Sequence, residues 1–172
     1  MTTFENTSYA TIRPKIKSGD VLAWSHKKWG SWYDFQVQMV RVFSQSEYCH
    51  VGIAWVVGGR VFILESVGTG IRIYPLSKEL PFYWIPIKKY WTKEIEEFAL
   101  MHIGAPYSSW DGIKALFGKL KNGGKDGKWE CAEFALALLS RGKVVPEDIR
   151  AVPTDVVRTL QAKGNPTYLI EQ

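Results

Sequence analysis

Two apolar segments separated by a pair of glycines constrain the fold of this chain most strongly. The segments HVGIAWVV (residues 50–57) and RVFILESV (residues 60–67) flank Gly58 and Gly59. A Gly-Gly pair between two runs that are rich in β-branched residues is a strong signal for a two-residue hairpin turn. The sequence therefore predicts an antiparallel hairpin in the middle of the chain, in which the last residue of the first segment lies opposite the first residue of the second.

The remaining elements follow from hydrophobic periodicity and turn residues. Apolar runs predict further strands at residues 18–25, 70–76 and 82–87, and a short edge strand at residues 166–170. Helical spacing predicts helices at residues 30–45, 92–104, 108–120 and 153–164, and one that begins close to Cys131. Ser31 and Thr92 are the expected N-caps of the first two helices, and Gly104 is the expected stop of the second. Together these elements predict an α+β fold, in which an antiparallel sheet packs against helices.

The size and charge of the chain limit its possible functions. With 172 residues, we expect a single domain that spans residues 1–172 and buries a sizeable core. The net charge of +5 comes from scattered basic residues, and a nucleic-acid binder would show a denser basic stripe. We therefore expect no nucleic-acid partner, whereas weak attraction to anionic membranes or cell-wall polymers fits this charge.

The sequence shows no signal for export, for a membrane span or for disulfides. Its first residues, MTTFENTSYATIRPKIKSGD, contain no apolar h-region. No stretch reaches the roughly 18 apolar residues of a membrane span, and two cysteines are too few for a disulfide framework. We expect a cytoplasmic, monomeric protein, and bacterial and phage origins are equally compatible with it.

The predicted hairpin brings a histidine and a glutamate onto one face. If the register continues from the turn, Gly52 lies opposite Glu65, and alternation places His50 on the same face, diagonal to Glu65. Gly52 has no side chain and leaves space between them. A carboxylate in the apolar segment VFILESV needs a partner, and a histidine is suitable because the carboxylate fixes its tautomer and stabilises the imidazolium. The alternative is that both side chains lie at the sheet rim and face water.

A second candidate group centres on Cys131, in the segment KDGKWECAEFALALLSRG. A glycine-rich loop turns here into an apolar helix, so Cys131 lies near a helix N-terminus, which favours the thiolate form. A nearby imidazole activates such a cysteine further by taking its proton. Glu130 and Glu133 flank the cysteine and disfavour a thiolate, whereas Lys125 and Lys128 partly offset them. The alternative is a cysteine that only packs in the core.

The cysteines and histidines do not predict a metal site, and no cofactor is expected. Cys49 and His50 are adjacent, so alternation would point them to opposite faces of the strand, and no pair of ligands has zinc spacing. Cys49 is therefore interpreted as an inert buried thiol.

Six segments, taken in order, resemble a known family: SGDVLAW, CHVGIAW, FILESVGTGIRIYPL, GAPYSSWD, WECAEFALALL and VPTDVV. Together they are similar to the YiiX-like branch of the NlpC superfamily, whose members are circularly permuted papain-like proteins. In that branch the histidine strand precedes the cysteine helix, which is the order in this chain. The resemblance runs over residues 18–157 and implies a permuted papain-like (NlpC-type) fold with the cysteine at a helix N-terminus.

The resemblance also implies an activity. It implies a cysteine hydrolase that cleaves amide or peptide bonds through a thioester intermediate, with cell-wall (peptidoglycan) peptides as the first candidate substrate. Cys131 would be the nucleophile, His50 the general base and acid, and Glu65 the residue that orients His50. Tyr107, in the segment GAPY, corresponds to a tyrosine that lines the family's pocket.

Two further aromatic residues, Trp24 and Tyr48, are assigned to the substrate pocket with Tyr107. The chain departs from the family pattern at two positions close to the catalytic set. Cys49 stands where the family often has a small polar residue, and Ala132 stands where it often has serine. Neither departure removes an atom of the catalytic set, but both alter the expected pocket.

Three alternative functions stay open. A lipid acyltransferase or hydrolase of the lecithin:retinol acyltransferase-like type would share the permuted arrangement, although such relatives usually carry a second histidine where Glu65 stands. It would contact lipid peripherally through an apolar mouth of aromatic side chains: Trp24, Trp29, Trp32, Tyr33 and Phe35. A non-enzymatic binding module would keep the fold and lose the reaction. A structural or interaction protein would use the basic loop at residues 119–128 to bind an acidic partner.

Overall fold

The computed structural model describes residues 7–25, 47–88, 90–106, 129–146 and 148–172. Two predicted helices, at residues 30–45 and 108–120, lie outside the described residues, as does the basic loop at residues 119–128. The same holds for several side chains singled out in the sequence: Trp29, Ser31, Trp32, Tyr33, Phe35, Tyr107, Lys125 and Lys128.

A seven-stranded sheet forms the centre of the described part of the chain. Its strands are β1 (Thr7–Ser8), β2 (Val21–Ser25), β3 (Tyr48–Val57), β4 (Arg60–Val67), β5 (Gly70–Pro75), β6 (Phe82–Ile85) and β7 (Tyr168–Glu171). They lie in the order β1-β7-β6-β2-β3-β4-β5. All neighbours are antiparallel except β1 and β7, which run parallel. The predicted antiparallel sheet is therefore confirmed, with one parallel pair added at its edge.

The hairpin predicted from the two glycines is confirmed. Val57 lies opposite Arg60, and the ladder continues to Ile53 opposite Leu64. The φ angles of Gly58 and Gly59 are 54° and 71°. These values lie in the left-handed region that glycine adopts without steric strain, which explains why two glycines stand at this turn.

Helices pack on both faces of the sheet. Those in the described residues are α1 (Tyr9–Ile12), α2 (Lys93–Met101), α3 (Cys131–Arg141) and α4 (Pro153–Ala162). Thr92 caps α2 as predicted, since its side chain accepts a hydrogen bond of 3.4 Å from the backbone N–H of Ile95. In the described ranges no helix has both the length and the apolar character needed to cross a membrane.

Two apolar clusters lie on the two faces of the sheet. Neighbouring residues of β3, such as Ile53 and Ala54, belong to different clusters because side chains alternate across a strand. One cluster includes Phe134 of α3 and Val156 of α4, and the other includes Ile12 of α1. Helix α3 packs against β3 and β4, so its start is held next to the predicted hairpin.

The structure corrects the prediction of an edge strand near the C-terminus. Residues Tyr168–Glu171 do form a strand, β7, but β1 pairs with its outer side and places Thr7 opposite Ile170. Strand β1 contains only two residues. A strand that short leaves no alternating pattern in a sequence, so hydrophobic periodicity could not reveal it.

Candidate active site

His50 and Glu65 form a buried hydrogen-bonded pair on two neighbouring strands. His50 Nε2 lies 2.6 Å from Glu65 Oε2. The two residues expose 9% and 1% of their surface, so the alternative that both face water at the sheet rim is wrong. The register that sets Ile53 opposite Leu64 carries the two side chains to one face of the hairpin, as the sequence predicts.

Gly52 lies beside this pair, but it does not provide empty space between the two side chains. A Cβ atom at Gly52 would lie 2.6 Å from Cδ1 of Ile63 and 3.0 Å from the carbonyl oxygen of Leu64. Glycine is therefore required at position 52, because β4 and the Ile63 side chain approach it closely. The Ile63 side chain occupies the space that was expected to be empty.

Cys131 lies against the same imidazole. It is the first residue of α3, and Glu130 is the N-cap of that helix. The Cys131 side chain makes a hydrogen-bonding contact with the His50 ring. Because Glu65 occupies Nε2, Nδ1 is the ring nitrogen that remains for the sulfur. The structure thus brings Cys131, His50 and Glu65 together in the order of a nucleophile, a base and an orienting carboxylate.

The electrostatics of the group favour a charged imidazole. Burial alone lowers the pKa of His50, but hydrogen bonds and charges from Cys131 and Glu65 outweigh burial and raise this pKa to about 10. Burial alone raises the pKa of the Glu65 carboxyl, but His50 and Arg72 together lower it below its ordinary value. The charged form of His50 is therefore the form that its two neighbours stabilise.

Arg72 is a member of this group that the sequence analysis missed. Its Nε and Nη2 atoms lie 2.7 and 2.6 Å from Glu65 Oε1, the oxygen that His50 does not use. Arg72 lies directly opposite Glu65 in the ladder between β4 and β5. A signal for it was present, because Gly68 and Thr69 form a second two-residue turn whose register predicts this pair.

Glu79 contacts Arg72, and Trp24 contacts His50, so both residues adjoin the group of Cys131, His50, Glu65 and Arg72. Glu79 Oε1 lies 3.4 Å from Arg72 Nη2. Burial, followed by the charge of Glu65, raises the pKa of Glu79 above its ordinary value. The backbone oxygen of Glu79 accepts a hydrogen bond of 2.7 Å from Trp24 Nε1. The Trp24 ring in turn packs against the His50 ring, with 5.4 Å between ring centroids, so β2 supports the imidazole directly.

The structure corrects the prediction that Trp24 and Tyr48 line a substrate pocket. Each exposes only 1% of its surface, so neither offers a surface to a substrate. Tyr48 instead packs edge-to-face on Tyr83 at 5.2 Å, and its backbone N–H donates to Thr154 Oγ1 at 3.0 Å. Both residues support the start of β3, and Tyr107, the third predicted pocket residue, lies outside the described residues.

A β-bulge lies next to His50. Trp24 pairs with His50 and Ser25 pairs with Tyr48, so Cys49 is an extra residue on β3. This bulge interrupts the strict alternation on which the placement of Cys49 was based. Cys49 is partly buried, packs against the cluster that contains Trp24, and its Sγ donates to the Trp24 carbonyl oxygen at 3.4 Å. Bulges are common beside functional sites, and this one changes the placement of Cys49.

The start of α3 is fixed by contacts from two directions. Glu130 and Glu133 form a capping box, in which the Glu130 backbone N–H donates to Glu133 Oε2 at 3.0 Å. Ser66 Oγ donates to the carbonyl oxygen of Trp129 at 2.6 Å. The two glutamates that flank Cys131 in sequence are therefore buried parts of the helix start. The pattern Glu-x-x-Glu before an apolar run was the sequence signal for this box.

The described side chains do not form a metal centre. Over residues 7–25, 47–88, 90–106, 129–146 and 148–172, no group of three or more His, Cys, Asp or Glu side chains is arranged to hold a metal ion. At the site itself, both oxygens of Glu65 are engaged, one by His50 and one by the Arg72 cation. A metal ion would have to displace both partners.

Comparisons with known proteins relate the chain to solved structures. No protein-family model matches the chain, and no curated protein matches it. Among solved structures, the chain is similar to YiiX from Escherichia coli O157:H7, which is described as a metalloprotein. The two share 15% sequence identity with a TM-score of 0.53, and the match covers 73% of this chain and 66% of the YiiX chain. The protein described here therefore has a YiiX-like α+β fold.

Proposed function

We propose that this protein is a cysteine hydrolase that cleaves amide or peptide bonds through a thioester intermediate. One observation carries the proposal: His50 contacts Cys131 at the first residue of α3 and Glu65 at 2.6 Å. The fold relationship and the resemblance of the six sequence segments support assignment to the permuted papain-like arrangement of the NlpC superfamily.

Acylation begins with attack of the Cys131 sulfur on the substrate carbonyl carbon. Backbone N–H groups at the start of α3 stabilise the oxyanion of the tetrahedral intermediate. The carbon–nitrogen bond then breaks, and the amine leaves with a proton from His50. The raised pKa of His50, about 10, keeps this proton available at neutral pH.

Deacylation uses the same groups in reverse. His50, now neutral, removes a proton from water, and the resulting hydroxide attacks the thioester carbon. The carbon–sulfur bond breaks, a carboxylic acid product leaves, and the thiolate and imidazolium are restored. Glu65 stays ionised in both half-reactions and holds the ring with Nε2 toward itself and Nδ1 toward Cys131.

The reaction needs no cofactor, because the thiol and imidazole supply the nucleophile and the proton. The description of YiiX as a metalloprotein does not change this assignment, since the donors described at the site of this chain do not fit a metal ion. The substrates proposed first are peptides and amides, with cell-wall fragments foremost, as the sequence resemblance implies.

Hydrolysis assays on Cys131→Ala test the proposal. We expect the wild-type protein to cleave at least one member of a panel of muropeptides, peptides and amides, and Cys131→Ala to show no turnover with an unchanged circular dichroism spectrum. Cys49→Ser is the matched control and should keep its activity, because Cys49 bonds to the Trp24 carbonyl oxygen and has no part in the proposed reaction.

Three other results would change the proposal. Two would come from the hydrolysis assays, and the third from alkylation of Cys131. Full activity in Cys131→Ala shows that the assignment is wrong. Fatty-acid release from lipid esters, with every peptide left intact, replaces the substrate class with lipids. A Cys131 that reacts with iodoacetamide no faster than a free peptide thiol indicates a binding module that has lost the reaction.

A further inference from the structure

We propose that Arg72 is a positioning residue of this site, which fixes the orientation of Glu65 and compensates its charge whenever His50 is neutral. The inference rests on the proposed function and assigns a fourth side chain to the group of Cys131, His50 and Glu65. Arg72 acts through Glu65 and does not touch the reacting atoms.

The two oxygens of Glu65 have different partners. Nε and Nη2 of Arg72 converge on Oε1 at 2.7 and 2.6 Å, and His50 Nε2 lies 2.6 Å from Oε2. Charge-assisted hydrogen bonds of this length are among the strongest in proteins. Rotation of the carboxylate plane would weaken both sets of contacts together, so Arg72 holds the carboxylate in the plane in which one oxygen meets the imidazole.

The guanidinium group is itself held in place. Its central carbon lies 4.3 Å from the centroid of the Tyr74 ring, a cation–π contact on the same strand. Its Nη2 lies 3.4 Å from Glu79 Oε1. The Arg72 side chain is 36% exposed, whereas Glu65 is 1% exposed. Arg72 therefore extends from the buried pair to the surface, and its contacts with Tyr74 and Glu79 hold the guanidinium group in place.

The catalytic cycle explains why the buried pair needs this cation. When His50 is charged, the imidazolium and the Glu65 carboxylate compensate each other. When His50 has given its proton to the leaving group, Glu65 would be an uncompensated buried anion without Arg72, and such a group takes up a proton. A protonated Glu65 no longer stabilises the imidazolium that forms in the next proton transfer.

The charged and titratable groups that face Arg72 and Glu65 set the expected pH effect. In the described part of the chain they are His50 on β3, Tyr74 on β5 and Glu79 after β5, and Cys131 on α3 contacts His50 in turn. Arg72 is the permanent cation among these groups, and it opposes protonation of Glu65. Its removal should let Glu65 protonate at higher pH, which removes the anion that stabilises the His50 imidazolium under mildly acidic conditions.

The pH profile of Cys131 alkylation by iodoacetamide, measured in the Cys49→Ser background, tests this inference without a substrate. Arg72→Met keeps an apolar stem over Tyr74 and removes the donors and the charge. We expect the acidic side of its alkylation-rate profile to lie about one pH unit above that of the parent protein. Arg72→Lys keeps the charge and should show a smaller shift. On a cleaved substrate, kcat should fall about tenfold with KM nearly unchanged.

Arg150→Met is the matched control, because Arg150 also donates to a carboxylate, Asp155 Oδ2 at 2.7 Å, but on the exposed surface. Its profile should superimpose on that of the parent. If Arg72→Met also superimposes while alkylation still depends on His50, the inference fails and the proposed function stands. If the parent cysteine reacts slowly and His50→Ala changes nothing, the proposed function fails instead. Should Arg72→Met not fold, Arg72→Gln takes its place, and an unshifted profile for that variant contradicts the inference.

Discussion

At the scale of single residues, His50 shows how burial and hydrogen bonding act in opposite directions. A buried imidazole on its own would lose its proton more readily than one in water. Here Cys131 and Glu65 reverse that tendency and raise the pKa to about 10. The proton is therefore retained across the neutral range, and its retention depends on the two neighbours rather than on the histidine itself.

Glu65→Gln should lower the pKa of His50. The glutamine keeps the shape of the side chain and an acceptor oxygen, but it removes the negative charge that stabilises the imidazolium, so we expect a decrease of at least about one unit. An NMR titration of the His50 ring measures this value directly, from about 10 in the wild type to a lower midpoint in the variant. The pKa of His50 must decrease rather than increase, because loss of a nearby anion favours the neutral ring.

His102 serves as the internal control in the same spectra. Its Nδ1 donates to the Phe98 carbonyl oxygen at 2.7 Å, at the end of α2, and it does not contact Glu65. Its ring resonances at neutral pH should be the same in both proteins. A His50 midpoint near the ordinary value of about 6.5 in the wild type would contradict the imidazolium assignment.

At the scale of elements, β4 connects the two halves of the site through its alternation. Glu65 faces His50, and the next residue, Ser66, donates from Oγ to the Trp129 carbonyl oxygen at 2.6 Å. Trp129 precedes the N-cap of α3, and its backbone N–H also donates to Pro106 at 3.0 Å. One strand therefore holds Glu65 against His50 on one face and anchors the start of α3, where Cys131 lies, on the other.

Ser66→Ala should weaken both the fold and the reaction. Ser66 is buried, so its removal leaves the Trp129 carbonyl without this donor, at a cost of about 1–3 kcal/mol in the free energy of unfolding. Displacement of the start of α3 should lower kcat more than it changes KM, since Cys131 is misplaced relative to His50. Urea denaturation and steady-state kinetics measure the two effects.

Ser140→Ala is a matched control in the same helix. Ser140 Oγ also donates to a backbone carbonyl, that of Leu136 at 2.8 Å, but at the far end of α3. It should affect stability slightly and kcat not at all. Equal kcat values for Ser66→Ala and the wild type would show that the contact with Trp129 does not position Cys131.

The elements also show what a sequence can and cannot reveal. Gly58 and Gly59 fixed a register from which the pairing of His50 with Glu65 followed, and the same argument at the next turn would have given Arg72. The bulge at Cys49 was not predictable, because it arises where β3 meets β2, a pairing between segments that no turn joins. Burial of Trp24 and Tyr48 likewise depends on contacts with distant segments, which a local pattern does not contain.

At the scale of the whole molecule, the site combines a local and a non-local part. Strands β3, β4 and β5 follow one another through tight turns, so His50, Glu65 and Arg72 are neighbours both in sequence and in space. The cysteine joins them only because α3 packs on β3 and β4. Spacing could not predict that contact, and the resemblance in segment order supplied it. The single domain, the monomeric state and the cytoplasmic location stay predictions.

Removal of metal ions should leave the stability and the reactivity of the whole molecule unchanged. The donors described at the site are already engaged with one another, Glu65 with His50 and with Arg72. We therefore expect exhaustive dialysis against EDTA to leave the thermal unfolding midpoint, the substrate turnover and the rate of Cys131 alkylation unchanged. Added Zn²⁺ should instead slow alkylation, since it competes for the thiolate and the imidazole. Loss of both fold and alkylation in EDTA, with recovery on adding Zn²⁺, would contradict this expectation and place a metal ion among the structural elements of the protein.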